Sequence, residues 1–132
     1  MNISESLDQI LRRSDTLADL FYLVFLKHSP HVQELFRGVD MKRQNLLLTM
    51  SLIAVERHYA RGYEATKAYL EMLGHHHKQR GVGMELFPIW RDALLATLGR
   101  FHCSDWSDDL AAEWGSAIDA AIRCMSVAFQ WK

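Results

Sequence analysis

Cysteine is almost absent from the 132-residue sequence, which contains only Cys103 and Cys124. The two residues are far apart and lack the close paired spacing by which cysteines hold a structural zinc ion. Disulfides are also rare in the reducing cytoplasm, which is the compartment that we expect for this chain. We therefore expect both cysteines to be buried or chemically inert thiols.

Long apolar runs and an excess of one charge are missing as well. No segment approaches the roughly 20 apolar residues that a membrane span requires, and the opening residues MNISES lack the basic and then apolar pattern of a secretion signal. We expect a cytoplasmic protein. With 15 basic residues against 16 acidic ones and a net charge of -1, the composition does not favour nucleic acid or an anionic membrane surface as a partner.

Proline and glycine are scarce enough to leave long uninterrupted segments. Only Pro30, Pro88 and seven glycines occur, and between them apolar residues recur every three or four positions, as on helices. The composition, 49% apolar and 23% charged, is typical of a folded globular protein. Because a chain of this length suits one domain and not two, we expect a single all-α domain over residues 1–132.

Two apolar stripes near the end predict antiparallel helices joined across Gly99 to Ser107. Ser107 could cap the second helix, and Pro88 suits the first turn of the first helix, where its missing N–H would have no partner. The first stripe is Leu86, Ile89, Trp90, Ala93, Leu94, Thr97, Leu98 and Phe101, and the second is Leu110, Trp114, Ala117, Ile118, Ala121, Ile122, Met125 and Phe129.

Capping residues and helix breakers predict the helices of the first half. A short helix over residues 4–13 precedes one that Ser14 to Thr16 could cap and that Pro30 would end. Asp40 could cap a helix from about Met41 to Tyr59, one face of which carries Gln44, Leu47, Leu48, Leu52 and Val55. A further helix from about Glu64 would stop at Gly81, with Leu70, Leu73 and His77 on one face.

The run His75, His76 and His77 is the first candidate for chemistry. Adjacent positions on a helix diverge by about 100°, so the three imidazoles cannot bind one metal ion from a regular helix. His77 lies four residues after Leu73 and therefore on the apolar stripe, whereas His75 and His76 fall on wetter faces. His77 is either a metal ligand or a hydrogen-bonded histidine of the core.

Tyr22 and Gln44 are polar residues on helices whose inner faces are apolar. Tyr22 is either a core tyrosine at the rim or a donor inside a pocket, because a buried hydroxyl needs a partner. Gln44 could cap locally, reach into water, or point its amide into the same pocket. A pocket for a flat apolar ligand with a metal at its centre would explain Tyr22, Gln44 and His77 together.

Four segments carry a family resemblance: FYLVFLKHSPHVQELF from Phe21 to Phe36, FRGVDMKRQ up to Gln44 with two leucines after it, LGHHHKQRGV from Leu73 followed by FPI, and EWG at 113–115. In this order they resemble the helices of bacterial haemoglobins and of the globin domains of flavohaemoglobins. The resemblance extends over residues 14 to about 125. It implies the globin fold, a three-over-three helical sandwich around haem.

The resemblance also implies a role for individual residues. His77 would bind the iron of a haem b that is held without covalent attachment, since the sequence has no Cys-x-x-Cys-His motif. Tyr22 and Gln44 would face the gas ligand as a polar pair, with Leu48 as the apolar distal wall. The apolar lining of the haem would consist of Phe36, Leu48, Leu73, Val82 and Phe87, and the candidates for contacts with its propionates are Lys42, Arg43 and Arg80, each of which could equally be a solvated surface charge.

Two departures from that family bear on function. Phe87 and Ile118 stand where tyrosines are usual on the proximal side, and Leu47 stands where a basic residue is common.

We expect reversible binding of dioxygen, and of other diatomic gases such as nitric oxide and carbon monoxide, in transport, storage or scavenging. Nitric oxide dioxygenation with a separate reductase, a gas-sensing or interaction module, and a bilin carrier using Cys103 or Cys124 are the alternatives, and no catalytic residue is assigned.

Overall fold

The computed structural model describes residues 1–130 and shows seven α-helices. No strand occurs among these residues, which confirms the all-α prediction. Short 3₁₀ turns follow the sixth and seventh helices, at Cys103–Asp105 and Val127–Phe129. The helices are α1 (Ile3–Arg12), α2 (Ser14–Phe25), α3 (Pro30–Leu35), α4 (Met41–Arg61), α5 (Glu64–Gln79), α6 (Leu86–His102) and α7 (Asp108–Ser126).

Side-chain caps determine where several helices begin. Asp40 accepts hydrogen bonds from the backbone N–H groups of Lys42 and Arg43, and Ser107 accepts one from Leu110, as predicted. The predicted cap of α2 is wrong, because α1 ends at Arg12 and the chain turns at Arg13, so that Ser14 is already the first helical residue. No side chain caps α2.

The last helix lies at the centre of the packing. α7 contacts α1, α4, α5 and α6, while α2 packs against α4 and α6. The predicted stripe of α7 is confirmed: Trp114 and Ile118 are fully buried, and only Ile122 and Phe129 of the eight residues are partly exposed. The buried residues of the helices therefore form one apolar cluster. Leu73 and Val82, which precede and follow His77, pack against it.

The connection between α6 and α7 is shorter than predicted, since α6 continues through Gly99 to His102. Of the two thiols expected to be buried or inert, Cys124 is buried, whereas Cys103 is exposed in this connection. Cys124 Sγ lies 3.4 Å from His58 Nε2, and burial raises the pKa of its thiol. No helix among residues 1–130 is long and apolar enough to cross a membrane.

Candidate functional site

Tyr22 and Gln44 meet at one side of the candidate site. Gln44 Nε2 lies 3.0 Å from the Tyr22 hydroxyl oxygen and donates a hydrogen bond to it. The tyrosine is only 6% exposed, and its ring packs edge-on against Phe36 at a centroid distance of 5.4 Å. The turn after α3 thus brings Phe36 beside a polar pair that is separated by 22 residues in the sequence.

This hydrogen bond determines which proton the tyrosine can offer. Because the Gln44 amide donates, the Tyr22 oxygen is the acceptor and its own O–H remains available to donate elsewhere. Burial raises the pKa of Tyr22 to about 12, although the bond from Gln44 acts in the opposite direction. The phenol is therefore neutral and retains its proton at physiological pH.

Helix α4 supplies the polar and apolar residues of the same wall. Its first turn is fixed by the Asp40 cap, and Gln44 and Leu48 are one turn apart, so they share a face. Leu48 is buried, as predicted. The prediction that Leu47 lies on this face is wrong: its side chain is 46% exposed, because one residue along a helix rotates the direction of the side chain by about 100°.

His77 lies in the last turn of α5 and is the inward-facing member of the histidine run. His75 and His76 are exposed, whereas Leu70 is buried and Leu73 packs on the core, as predicted. The Nδ1 atom of His77 is buried and has no hydrogen-bond partner in the described part of the chain. Burial lowers the pKa of this imidazole, with smaller contributions from His76 and Arg80.

The residues that follow His77 turn back toward it. Gly81 adopts a left-handed conformation (φ 85°), and the Val82 N–H then donates to the His77 carbonyl oxygen at 3.0 Å. Val82 is half-buried against the core, and Phe87 is buried with its ring centroid 6.5 Å from that of His77. The structure thus brings His77, Val82 and Phe87 close together.

The three basic residues considered for anion contacts are all exposed. Arg80 is close enough to His77 to lower the pKa of its imidazole. Lys42 and Arg43 follow the Asp40 cap, where their backbone N–H groups are held by its carboxylate. None of the three forms an ion pair with another described residue, so their charges are available to a ligand or to solvent.

Three contacts of the site were not predicted from the sequence. Phe25 packs edge-on against Phe36 at 6.1 Å, Phe129 packs edge-on against Phe87 at 5.7 Å, and the backbone of α7 approaches Gly74 closely. Phe129 belongs to the predicted stripe of the last helix, and its spacing did not indicate this contact. Gly74 did carry a signal, because glycine inside a helix is unfavourable unless packing requires it.

The sequence model of the globin family matches residues 18–125 of the chain. The chain belongs to the globin family. This globin has the all-α fold of its family, whose members bind haem and, through it, diatomic gases. No curated protein matches the sequence.

The residues of this globin fit a haem group. Imidazole is a suitable ligand for haem iron, and His77 has a buried ring nitrogen without a partner among residues 1–130. The hydrogen-bonded pair of Tyr22 and Gln44 offers a neutral donor of the kind that holds a polar gas ligand. Apolar residues on both sides, including Phe36 and Val82, are only partly buried by protein, as expected of residues that line a cofactor.

Proposed function

We propose that this globin binds haem b without covalent attachment and binds dioxygen reversibly. The observation that carries the proposal is the Tyr22 hydroxyl, which is buried, neutral and fixed by Gln44, so that its proton is free to be donated. Haem supplies an iron atom that coordinates diatomic gases, including dioxygen, nitric oxide and carbon monoxide. The protein would supply the iron ligand, the donor and the apolar surroundings.

His77 is the proposed iron ligand. Its place on the inner face of α5 supports this role, as does its buried Nδ1 atom, which has no partner among residues 1–130. Its lowered pKa also supports it, because a ligating imidazole must be neutral. Phe36, Leu48, Leu73, Val82 and Phe87 would line the porphyrin, and Arg80, Lys42 and Arg43 would face its propionates. Of these three, Arg80 is the one whose charge contributes to lowering the pKa of the His77 imidazole.

Tyr22 and Gln44 are proposed as the distal residues. A gas ligand that gains partial negative charge is stabilised by a donor, and the Tyr22 O–H is already oriented by its bond from Gln44. The edge-on contacts of Tyr22 with Phe21 and Phe36 limit the movement of the ring. This donor would slow the release of dioxygen.

The surroundings of His77 favour reversible binding over nitric oxide dioxygenation. Redox chemistry on haem is promoted when a carboxylate or another hydrogen-bonded group raises the basicity of the proximal imidazole. Among the described residues the charged groups that act on His77 are His76 and Arg80, both basic, and the adjacent ring is Phe87. We propose a cytoplasmic location, and we propose that residues 1–132 form one globin domain of the bacterial type, related to the flavohaemoglobin globins.

Replacing His77 tests the proposal. Purified His77→Ala should lose or shift the Soret band of the haem-loaded protein and should bind haemin more than about tenfold more weakly. His75→Ala is the matched control, because it removes an exposed imidazole from the same helix and should bind haemin like the original protein.

Equal spectra for the original protein and His77→Ala would refute the ligand assignment. Repeated consumption of nitric oxide in the presence of an added reductase, with each turnover forming nitrate, would replace the carrier function by a dioxygenase function.

A further inference from the structure

Helix α5 touches the end of α7 closely at Gly74, three residues before His77. A Cβ atom at position 74 would lie 2.6 Å from the Met125 Cα and 2.7 Å from its carbonyl carbon, and closer still to its carbonyl oxygen. These are backbone atoms of a buried residue, so they cannot move aside as the end of a side chain could. Only glycine allows the two helices this separation.

A second contact, one turn further along α5, joins this helix to the C-terminal turn that follows α7. The Lys78 Nζ atom donates to the Ala128 carbonyl oxygen at 3.0 Å, and its charge lies 6.0 Å from the centre of the Phe129 ring. Positions 74 and 78 are four residues apart and therefore lie on one face of α5. His77 thus belongs to a helical turn that is held at two points against the end of α7 and the C-terminal turn Val127–Phe129.

Aromatic packing extends this support to the imidazole itself. The ring of Phe129 packs edge-on against Phe87 at 5.7 Å, with an interplanar angle of 89°. Phe87 in turn lies 6.5 Å from the His77 ring. A displacement of α5 away from α7 would therefore change the position of the His77 imidazole relative to the Phe87 ring.

We propose that Gly74 is a positioning residue for His77, and that the close contact between Gly74 and Met125, together with Phe129, sets the distance and orientation of the imidazole toward the haem iron. The inference rests on the proposed function, because it assumes that His77 is the iron ligand. Glycine is otherwise unfavourable inside a helix. Here it allows α5 to pack closely against α7, which a side chain at position 74 would prevent.

Gly74→Ala tests this role. The variant should push α5 outward, so that haemin dissociates about tenfold faster and the iron–imidazole stretching band in the resonance Raman spectrum moves to lower wavenumber. Gly115→Ala is the matched control: Gly115 is also inside a helix, but its added Cβ would meet only the end of the Arg91 side chain, at 3.2 Å. It should leave both measurements unchanged.

A second comparison separates positioning from general damage. In a His77→Gly background with free imidazole as the iron ligand, the ligand is no longer attached to α5. Adding Gly74→Ala to that background should leave the stretching band where it was. If the band moves as far there as in the tethered protein, or if Gly74→Ala matches Gly115→Ala in both measurements, the positioning role is refuted.

Phe129→Leu provides the test if Gly74→Ala does not fold, as judged by its helical circular dichroism. It removes the edge-on aromatic contact with Phe87 and leaves the contact between Gly74 and Met125 in place. The stretching band should therefore shift in the same direction as in Gly74→Ala, by a smaller amount. An unchanged band in a folded Phe129→Leu protein would count against the proposal. If His77→Ala binds haemin as well as the original protein, the proposed function fails and the positioning role fails with it.

Discussion

The proton of Tyr22 is the most specific chemical feature of the site. Burial opposes ionisation of the phenol and raises its pKa to about 12, so the O–H is retained across the neutral and mildly alkaline range. The Gln44 amide occupies the oxygen from one side. The hydroxyl can therefore act as a donor whose strength does not change with pH near neutrality.

Tyr22→Phe should accelerate the dissociation of dioxygen from the haem-loaded protein. A hydrogen bond to a charged acceptor contributes about 1.5 to 3 kcal/mol, which corresponds to a rate increase of about ten- to a hundredfold. Stopped-flow displacement of dioxygen by carbon monoxide measures this rate. Tyr63→Phe is the control, because Tyr63 is exposed and its hydroxyl lies outside the site. Equal dissociation rates for Tyr22→Phe and the original protein would remove Tyr22 from the distal role.

The two cysteines show how far residue type alone can be interpreted. Both were expected to be buried or inert; Cys124 is buried, and Cys103 is exposed just after α6 with a positive φ of 52°. The apolar stripe of α6 ends before this position, so the sequence did contain the relevant signal. Cys124 lies on the stripe side of α7, and its burial could be predicted from spacing.

Among the helices, α4 has the best-defined start, and Gln44 depends on it. The Asp40 carboxylate accepts from the Lys42 N–H at 3.1 Å and from the Arg43 N–H at 3.3 Å. These bonds satisfy two of the N–H groups that every helix start leaves without a partner inside the helix. Gln44 follows one turn later, so the cap also fixes the position from which its amide reaches Tyr22.

Asp40→Ala should destabilise the apoprotein by about 1 kcal/mol, the usual effect of removing a helix cap. Chemical denaturation followed by circular dichroism measures the free energy of unfolding. Asp40→Asn is the matched control, since asparagine is an equally good cap without the charge. It should retain most of the stability. If the two variants unfold at the same denaturant concentration, the cap contributes nothing and the carboxylate acts only by its charge.

Helix positions were largely predictable from the sequence because their causes are local. Asp40 and Ser107 cap the helices predicted for them, and Gly81 ends α5 with the positive φ expected of glycine. The cap of α2 failed because the preceding helix ends only at Arg12, and a cap motif does not reveal where its neighbour stops. The inward direction of His77 was likewise predictable, since it depends only on helical spacing.

Contacts between distant parts of the chain could not be predicted in the same way. The sequence does not reveal that Gly74 meets Met125, or that Phe129 reaches Phe87, because both contacts depend on how α5 sits on α7. The resemblance to known globins supplied the pairing of Tyr22 with Gln44, which helical spacing alone left open. The structure then added the hydrogen bond between them.

At the scale of the whole molecule, a buried polar network joins three helices. Trp114 Nε1 on α7 donates to Ser6 Oγ on α1 at 2.9 Å, and Ser6 Oγ lies 2.6 Å from His102 Nε2 on α6. Ser6 can donate its single proton to His102 while it accepts from Trp114. The Trp106 ring is parallel to the imidazole at 6.1 Å. The network links residues up to 108 positions apart.

Protonation of His102 would disrupt this network. Burial lowers the pKa of the imidazole, against a smaller opposing effect of Asp105, the charged group that acts on it among residues 1–130. In the neutral ring Nε2 accepts from Ser6, so the proton is on Nδ1, which is buried and has no acceptor among residues 1–130. Protonation adds a second donor at Nε2, which could then no longer accept from Ser6. The unfolded chain takes up this proton more readily than the folded one, so stability decreases as pH falls below about 6.5, the ordinary value for histidine.

The free energy of unfolding of the apoprotein should therefore decrease as pH is lowered from neutrality, and His102→Leu should reduce that dependence. One proton of difference between the two states gives a slope of at most about 1.4 kcal/mol per pH unit, which bounds the contribution of His102. Urea unfolding at several pH values measures the slope. His31→Leu, which removes an exposed imidazole, should leave it unchanged. If His102→Leu keeps the full slope, acid sensitivity arises elsewhere, and the same measurement on His77→Leu tests the other imidazole whose pKa burial lowers.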